Sequence, residues 1–216
     1  CAWARAAFGP GSLAGWRIVV DCAHGAAYRT TPRVLTELGA QIIALNVAPD
    51  GRNINAGCGS LHLEGLQQAV RAHGARLGIS HDGDADRAIL VDETGAIVDG
   101  DAMLGIMARH WAAAGRLPGQ GLVTTVMTNL GLEMALLDLG IKMHRAKVGD
   151  RYVLESMNAN GFSLGGEQSG HVIMSEFATT GDGVLTGLHL AARVARTGKT
   201  LKELASVMTR LPQALI

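Results

Sequence analysis

Six consecutive residues, Asp82-Gly83-Asp84-Ala85-Asp86-Arg87, put three carboxylates and a guanidinium into one short stretch. Acids at i, i+2 and i+4 repel one another unless a cation or a charged ligand sits among them. An all-oxygen donor set suits a hard divalent ion, Mg²⁺ or Ca²⁺, rather than zinc, which prefers Cys and His. Gly83 and Ala85 carry almost no side chain, so the backbone can curl and aim Asp82, Asp84 and Asp86 inward. Arg87 beside them points to an anionic third party such as a phosphate, which a guanidinium grips bidentately. The stretch predicts a metal-plus-phosphate site.

Three other patterns compete for the same residues. An EF-hand loop counted from Asp82 finds acids at Asp84 and Asp86, an apolar residue at Ile89 and an acid at Glu93. It then finds Arg87 where a sharp turn needs Gly, between flanks that read as strands rather than helices. A haloacid-dehalogenase-type DxDx(T/V) motif begins well at Asp82-Gly83-Asp84-Ala85 but meets Asp86 in the Thr/Val place. A plain solvated turn would be a costly use of three alternating acids between two strands.

Two more polar clusters could touch a ligand. Gly165-Gly166-Glu167-Gln168-Ser169-Gly170-His171 has glycines on both sides, which lets the backbone approach a ligand closely. In extended geometry Glu167, Ser169 and His171 would share one side at period two, a carboxylate and a hydroxyl suited to neighbouring hydroxyls of a sugar ring. A Gly-bracketed turn, with His171 as a hydrogen-bonded structural histidine, is the bland alternative. Lys147-Val148-Gly149-Asp150-Arg151-Tyr152 lies between a strand and a helix, where free N–H groups can hold an anion and where Asp150 could equally be an N-cap. Thr179 to Gly183 reads chiefly as a helix cap with glycine hinges. The polar loops Cys22-Ala23-His24-Gly25 and Asn53 to Gly59 have no assignment from chemistry alone.

The elements that must hold these loops follow an α/β cadence. Trp16 to Val20 is a buried-strand run ending at Asp21, a helix through Arg33–Leu38 stops at Gly39, and Gln41–Leu45 returns as a strand. Leu63, Leu66 and Val70 mark one helix face, Leu77–Ser80 delivers the acidic loop, and Ala88–Val91 leaves it towards a turn at Glu93-Thr94-Gly95. The pattern then restarts. Leu104, Met107, Ala108 and Trp111 define a helix, Leu122–Met127 a strand, Leu132–Leu139 a helix capped by Gly140, and Asp150–Asn158 another. Phe162-Ser163-Leu164 is strand-like, Leu185, Leu188, Ala192 and Ala195 line a longer helix, and Leu201–Met208 makes a short one. The repeat predicts two similar α/β/α units, each a mixed sheet flanked by helices, with a boundary near 98–100. Residues 1–12, with Gly9-Pro10-Gly11, read as a linker, 13–98 as the metal-binding domain and 99–216 as the sugar-binding one.

Composition sets the class. In 216 residues, 48% are apolar and 18% charged with zero formal net charge, a globular pattern with no basic stripe for nucleic acid. No apolar stretch approaches a membrane span, and the first residues lack the shape of a signal peptide. The three cysteines show no CxxC spacing, so a reduced, cytoplasmic protein is expected.

Taken together these segments resemble the α-D-phosphohexomutase family. The strings that carry the likeness run in order: Val19 to Ala27, Pro49-Asp50-Gly51 with Asn53-Ile54-Asn55 and Gly57 to Ser60, the acidic loop, Thr125 to Leu132, Lys147 to Val153, Gly165 to His171, and Thr179 to Gly183. They span essentially residues 13–216, and Gly-Glu-Gln-Ser-Gly-His with Val-Gly-Asp-Arg-Tyr-Val points to the glucosamine branch. The resemblance implies the second and third of four domains. It implies Mg²⁺ held by Asp82, Asp84 and Asp86, Arg87 beside the transferring phosphoryl group, and a phosphosugar substrate contacted by Glu167 and Ser169, with His171, Asp150 and Arg151 in the same substrate site. The implied reaction interconverts glucosamine 6-phosphate and glucosamine 1-phosphate through a bisphosphate and an enzyme phosphoserine, feeding bacterial wall precursors. No segment here resembles the phosphoserine loop, so the chain alone is expected to need its missing N- and C-terminal domains for turnover, and a homodimer is left open. Ala85 stands where the family's commonest form has Gly, and His81 where an apolar residue is usual, which predicts an altered curl and a titratable group beside the metal. A Ca²⁺ protein using Glu93, a free-standing Mg²⁺ or sugar-phosphate-binding module, and a mutase for glucose or mannose phosphates are the competing readings.

Overall fold

The computed structural model describes residues 12–214, so all but the end of the expected linker over residues 1–12 lies outside the described residues. In chain order the elements are β1 (Arg17–Asp21), α1 (Thr30–Glu37), β2 (Gln41–Leu45), α2 (Glu64–His73), β3 (Leu77–His81), β4 (Ala88–Asp92), β5 (Ile97–Val98) and α3 (Gly100–Ala113). They continue as β6 (Gly121–Thr125), α4 (Leu130–Asp138), β7 (Lys142–Ala146), α5 (Asp150–Asn160), β8 (Leu164–Gly166), β9 (Val172–Met174), α6 (Gly183–Thr197) and α7 (Leu201–Ala205). Among the described residues no helix is long and apolar enough to cross a membrane.

Two compact units divide the chain after Val98. The first takes the residues up to Val98 together with Gly183–Leu204, and the second takes Asp99–Asp182 with the chain from Ala205 onward. Helix α6 therefore belongs with the first sheet although it follows the last strand of the second. Helix α3, which follows the first sheet, belongs to the second unit.

The first sheet has the order β2-β1-β3-β4-β5, with β2, β1 and β3 parallel and β4 and β5 antiparallel to their neighbours. The second repeats the plan as β7-β6-β8-β9, three parallel strands and one antiparallel. Strands β3, β4 and β6 are buried at every position, as largely apolar strands between helical layers are, with buried polar residues at their C-terminal ends. The edge strands β2 and β7 are half exposed.

One packing device recurs in both units. Val19, Gly78 and Val91 form a cross-strand row in the first sheet, and Leu66 and Val70 of α2 pack into the same cluster. A Cβ on Gly78 would lie 2.7 Å from Val70 Cγ2 and 2.9 Å from Leu66 Cδ1, so only glycine lets the helix seat. In the second sheet the row is Val123, Gly165 and Ile173, under Val153 and Met157 of α5. A Cβ on Gly165 would come within 2.5 Å of Met157 Sδ and 2.9 Å of Val153 Cγ1. Both helices end on a left-handed glycine, Gly74 and Gly161. The expected pair of similar α/β units, each a mixed sheet flanked by helices, is what the chain forms.

Three local expectations are corrected. The strand drawn through Met127 stops at Thr125, because the Thr128 N–H donates to the Thr125 carbonyl at 3.1 Å and the Asn129 side chain caps α4 through the Gly131 N–H. That cap outweighs the β propensity of Val126, which is left exposed. Asp150 is not the cap of α5: Gly149 occupies that position with φ 125°, and Asp150 is the first helical residue. The short helix expected to reach Met208 ends at Ala205.

The two glycine seats are directly testable. Gly78→Ala and Gly165→Ala should each lower stability by about 1–3 kcal/mol in urea unfolding through overpacking. Gly65→Ala, in open space on α2, should be neutral or raise stability by up to about 1 kcal/mol.

Candidate functional site

In the first unit the acidic loop joins β3 to β4, whose ends pair directly as His81 with Ala88. One carboxylate oxygen from each of Asp82, Asp84 and Asp86 lies within 4.8 Å of the other two. Burial pushes the Asp82 carboxyl up, and the charges on Asp86 and Asp84 push it further; the Arg87 N–H opposes them, leaving it at about 6. A carboxyl raised in this way marks a charge that the protein alone does not neutralise. Arg87 Nε stands 3.7 Å from both Asp82 Oδ2 and Asp86 Oδ1, a loose pairing that leaves much of the guanidinium to solvent. A compact all-oxygen donor set fits a hard divalent cation.

Glu93 takes no part in this cluster. It follows β4, a full strand of five residues or roughly 17 Å beyond the loop. With strands on both flanks and Glu93 at the far end, no EF-hand forms.

Ala85 adopts φ 64°, the left-handed conformation that favours glycine, so the loop keeps the glycine-type curl at a cost of about 1 kcal/mol instead of taking an altered one. Its carbonyl accepts from the Gly183 N–H at 2.9 Å, at the start of α6. His81 is fully buried and serves as a brace. Nδ1 lies 3.1 Å from the Arg87 carbonyl, which can only accept, and Nε2 lies 3.0 Å from the Thr31 hydroxyl. The neutral tautomer with hydrogen on Nδ1 satisfies both contacts.

The loops that chemistry alone left unassigned turn out to cradle the acidic loop. Asp21, at the end of β1, accepts from Ala23 N–H at 2.9 Å and from Gly59 N–H at 3.1 Å, tying the 22–25 and 53–59 loops together. The Asn55 N–H donates to Ala23, Ser60 N–H to His81, and Ala26 N–H to Gly83. Gly25 passes so close to the Gly83 backbone that any Cβ would collide with it. Cys22 is buried among these loops, and burial with the Asp21 charge pushes its thiol up to about 12, which keeps it protonated and unreactive.

In the second unit Glu167 to His171 joins β8 to β9, the topological counterpart of the acidic loop. The segment is a tight turn and not the extended run expected from its period-two spacing. Glu167 N–H donates to the His171 carbonyl, and Gly170 N–H, at φ 90°, donates back to the Glu167 carbonyl at 3.0 Å. Glu167 Oε1 accepts from the Gly149 N–H at 3.0 Å, so the two polar clusters seen separately in the sequence meet at the N-terminus of α5. Asp150 and Arg151 follow on that helix; Arg151 faces solvent and pairs with Glu155 at 2.8 Å. His171 is buried, and its Nε2 accepts from the Gly181 N–H at 3.1 Å, the structural role that was the bland alternative.

Comparison with known proteins identifies the family and the fold. Residues 8–95 match the model of the phosphoglucomutase/phosphomannomutase α/β/α domain II, and residues 99–211 that of domain III. The sequence is 62% identical over 203 residues to a phosphoglucosamine mutase of Symbiobacterium thermophilum, covering 94% of this chain and 45% of that protein. It is 62% identical over 205 residues to a phosphoglucosamine mutase of Cutibacterium acnes, covering 95% and 46%. The chain thus spans just under half the length of these relatives. A phosphoglucomutase/phosphomannomutase family protein from Burkholderia thailandensis aligns with a TM-score of 0.81 at 26% identity over 93% of this chain and 43% of its own. Aspergillus fumigatus N-acetylphosphoglucosamine mutase, in complex with GlcNAc-6P and magnesium, aligns with a TM-score of 0.74 at 22% identity, covering 96% and 52%, a likeness of fold. By matched domains, identity and architecture together, the chain belongs to the phosphoglucomutase/phosphomannomutase family and carries its domains II and III.

Proposed function

We propose that this chain is the metal-binding and sugar-binding middle of a phosphoglucosamine mutase, which interconverts glucosamine 6-phosphate and glucosamine 1-phosphate through a bisphosphate. The observation that carries the proposal is the carboxylate triad, three oxygens within 4.8 Å at the mouth of a β-hairpin, with Arg87 beside it. The amino-sugar assignment is supported by relatives at 55–62% identity that are named phosphoglucosamine mutase. Asp82, Asp84 and Asp86 hold Mg²⁺, which when bound offsets negative charge on the transferring phosphoryl oxygens.

The chain's own residues do the rest of the local work. Arg87 presents N–H donors to the phosphoryl group from the edge of the triad. Glu167, with one oxygen fixed by the Gly149 N–H, keeps its other oxygen to accept from a sugar hydroxyl, and Ser169 adds a hydroxyl from the same turn. Asp150 and Arg151 flank the substrate at the start of α5. His171 acts through Gly181 and not by touching the sugar. On this proposal the phosphoserine donor and the grip on the substrate's own phosphate would come from outside residues 12–214. A cytoplasmic location, where sugar phosphates are made and used, completes the proposal.

Turnover is testable in a chimera. Residues 13–211 replace the matching half of the Symbiobacterium thermophilum relative, and a coupled assay follows glucosamine 1-phosphate. The chimera should turn over, and Asp84→Asn should lower kcat at least about 100-fold. A folded chimera that isomerises glucose or mannose phosphates but not glucosamine phosphate would overturn the sugar assignment.

The triad also sets a pH dependence. Asp82 sits above its ordinary 3.8, at about 6, so the metal-free loop takes up a proton as pH falls through 6, and a cation must displace that proton. Mg²⁺ affinity of the chain should therefore be about tenfold weaker at pH 5 than at pH 7.5 by calorimetry, one unit below the Asp82 value. Without metal the sign reverses: the folded state binds the proton more tightly than the unfolded one. This contribution to stability is full below about pH 4 and is lost as pH rises towards 6.

A further inference from the structure

The second unit buries a carboxylate that the proposed reaction does not use. Asp101, in the first turn of α3, is wholly excluded from solvent. A single oxygen, Oδ2, accepts from the backbone N–H of Asn129 at 2.8 Å and from the side chain of Gln168 at 3.2 Å. The Thr128 hydroxyl lies beside the same carboxylate. Gln168 is the residue after Glu167 in the sugar loop. Its carbonyl accepts from the Gly100 N–H at 3.0 Å, and a Cβ on Gly100 would collide with the Glu167 carbonyl. The loop is thus pressed against the start of α3 and pinned there by Asp101.

Asn129 faces the other way. Its side-chain amide pairs with the Leu211 backbone in both directions, donating to the carbonyl at 2.8 Å and accepting from the N–H at 3.0 Å. The Gln213 side chain donates to the Met127 carbonyl at 2.8 Å, and Arg210 pairs with Asp99 at 2.7 Å. Gly131 makes room for the Thr209 carbonyl, which a Cβ there would strike. The 209–213 segment is therefore clamped to the 127–131 turn. Asn129, Asp101 and Gln168 connect that clamp, through two successive hydrogen bonds, to the turn that carries Glu167.

We propose that Asp101 is a positioning residue for the sugar loop, and that through Asn129 it makes the placement of Glu167 depend on whether the 209–213 segment is docked. The assignment of the loop to sugar rests on the proposed function, but the coupling itself rests on hydrogen bonds within one unit. Undocking 209–213 removes the Leu211 partners of the Asn129 amide, leaves it held only by its cap on Gly131, loosens its N–H from Asp101, and leaves the buried carboxylate with one donor fewer. A buried anion short of donors destabilises its surroundings, so the loop shifts with it.

Amide hydrogen exchange on the 216-residue chain, read residue by residue by NMR, tests the coupling. Asn129→Ala should speed exchange at 209–213 and also at Gly149 and 166–170, each about tenfold or more, while amides of the first sheet keep their rates. Asp101→Ala should do the same, and Asp101→Asn, which keeps an acceptor oxygen, should return both segments to within about threefold of the parent. Should Asn129→Ala compromise folding, Gln213→Ala undocks the segment more gently and should produce a smaller change at the same two places. Release of 209–213 with unchanged exchange at 166–170 would overturn the coupling, as would a uniform rise across the whole second unit. Glucosamine 6-phosphate added to the parent chain separates the two ideas: failure to shift the 167–170 amides counts against the sugar assignment, whatever the exchange data show.

Discussion

Crowding three carboxylates into a few ångströms is the constraint around which the first unit is arranged. Two unit charges 4.8 Å apart, the span of the triad, repel by about 1 kcal/mol in bulk water and on the order of 3 kcal/mol at the effective dielectric of a protein surface. Partial exposure keeps the real cost towards the lower figure, yet it is large enough to open an unsupported hairpin turn. The support comes from backbone groups. Gly25 lies against Gly83, Ala26 and Gly183 donate to loop carbonyls, and His81, itself braced by the Thr31 hydroxyl, holds the Arg87 carbonyl. A left-handed alanine at position 85 is held by its own backbone bonds, the carbonyl accepting from Gly183 and the N–H donating to Asp82.

The two units share an architecture and assign it to different chemistry. In each, three parallel strands end on one edge and the third turns back through a short loop into an antiparallel fourth. Open α/β sheets place ligands outside the carboxyl ends of their parallel strands, where side chains from several loops converge. Asp21 and the triad stand at those ends in the first unit, Asn129 and Glu167 in the second. The first loop concentrates three carboxylates within 4.8 Å. The second spends one carboxylate oxygen on a helix N-terminus, which fixes the orientation of the other.

The sequence disclosed what depends on local pattern. The Val and Ile runs of β1 and β4, the helix faces at Leu66 and Val70 and at Leu104 to Trp111, and the acidic loop all follow from spacing of residue types within a dozen positions. What stayed hidden depends on partners far along the chain. Asp21 reaches Gly59, His81 reaches Thr31, and Asp101 reaches both Asn129 and Gln168; none of these pairings has a period that a sequence displays. The missed signals were single residues: an Asp ending an apolar strand, and an Asn followed by Leu-Gly-Leu-Glu at a helix start. Period-two spacing misled at Glu167 to His171 because Gly170, at positive φ, lets the chain close a turn within three residues.

The route of the backbone gives each loop a helix that the sequence order would assign elsewhere. After β5 the chain enters α3, whose first N–H, at Gly100, donates to the Gln168 carbonyl in the β8–β9 turn. After β9 and the turn beyond it the chain enters α6, whose first N–H, at Gly183, donates to the acidic loop. In both places the residue is glycine because the loop backbone occupies the space a Cβ would need. In the first unit the positive end of the α6 dipole thus lies against a loop rich in carboxylate, a favourable arrangement worth a few tenths to about 1 kcal/mol.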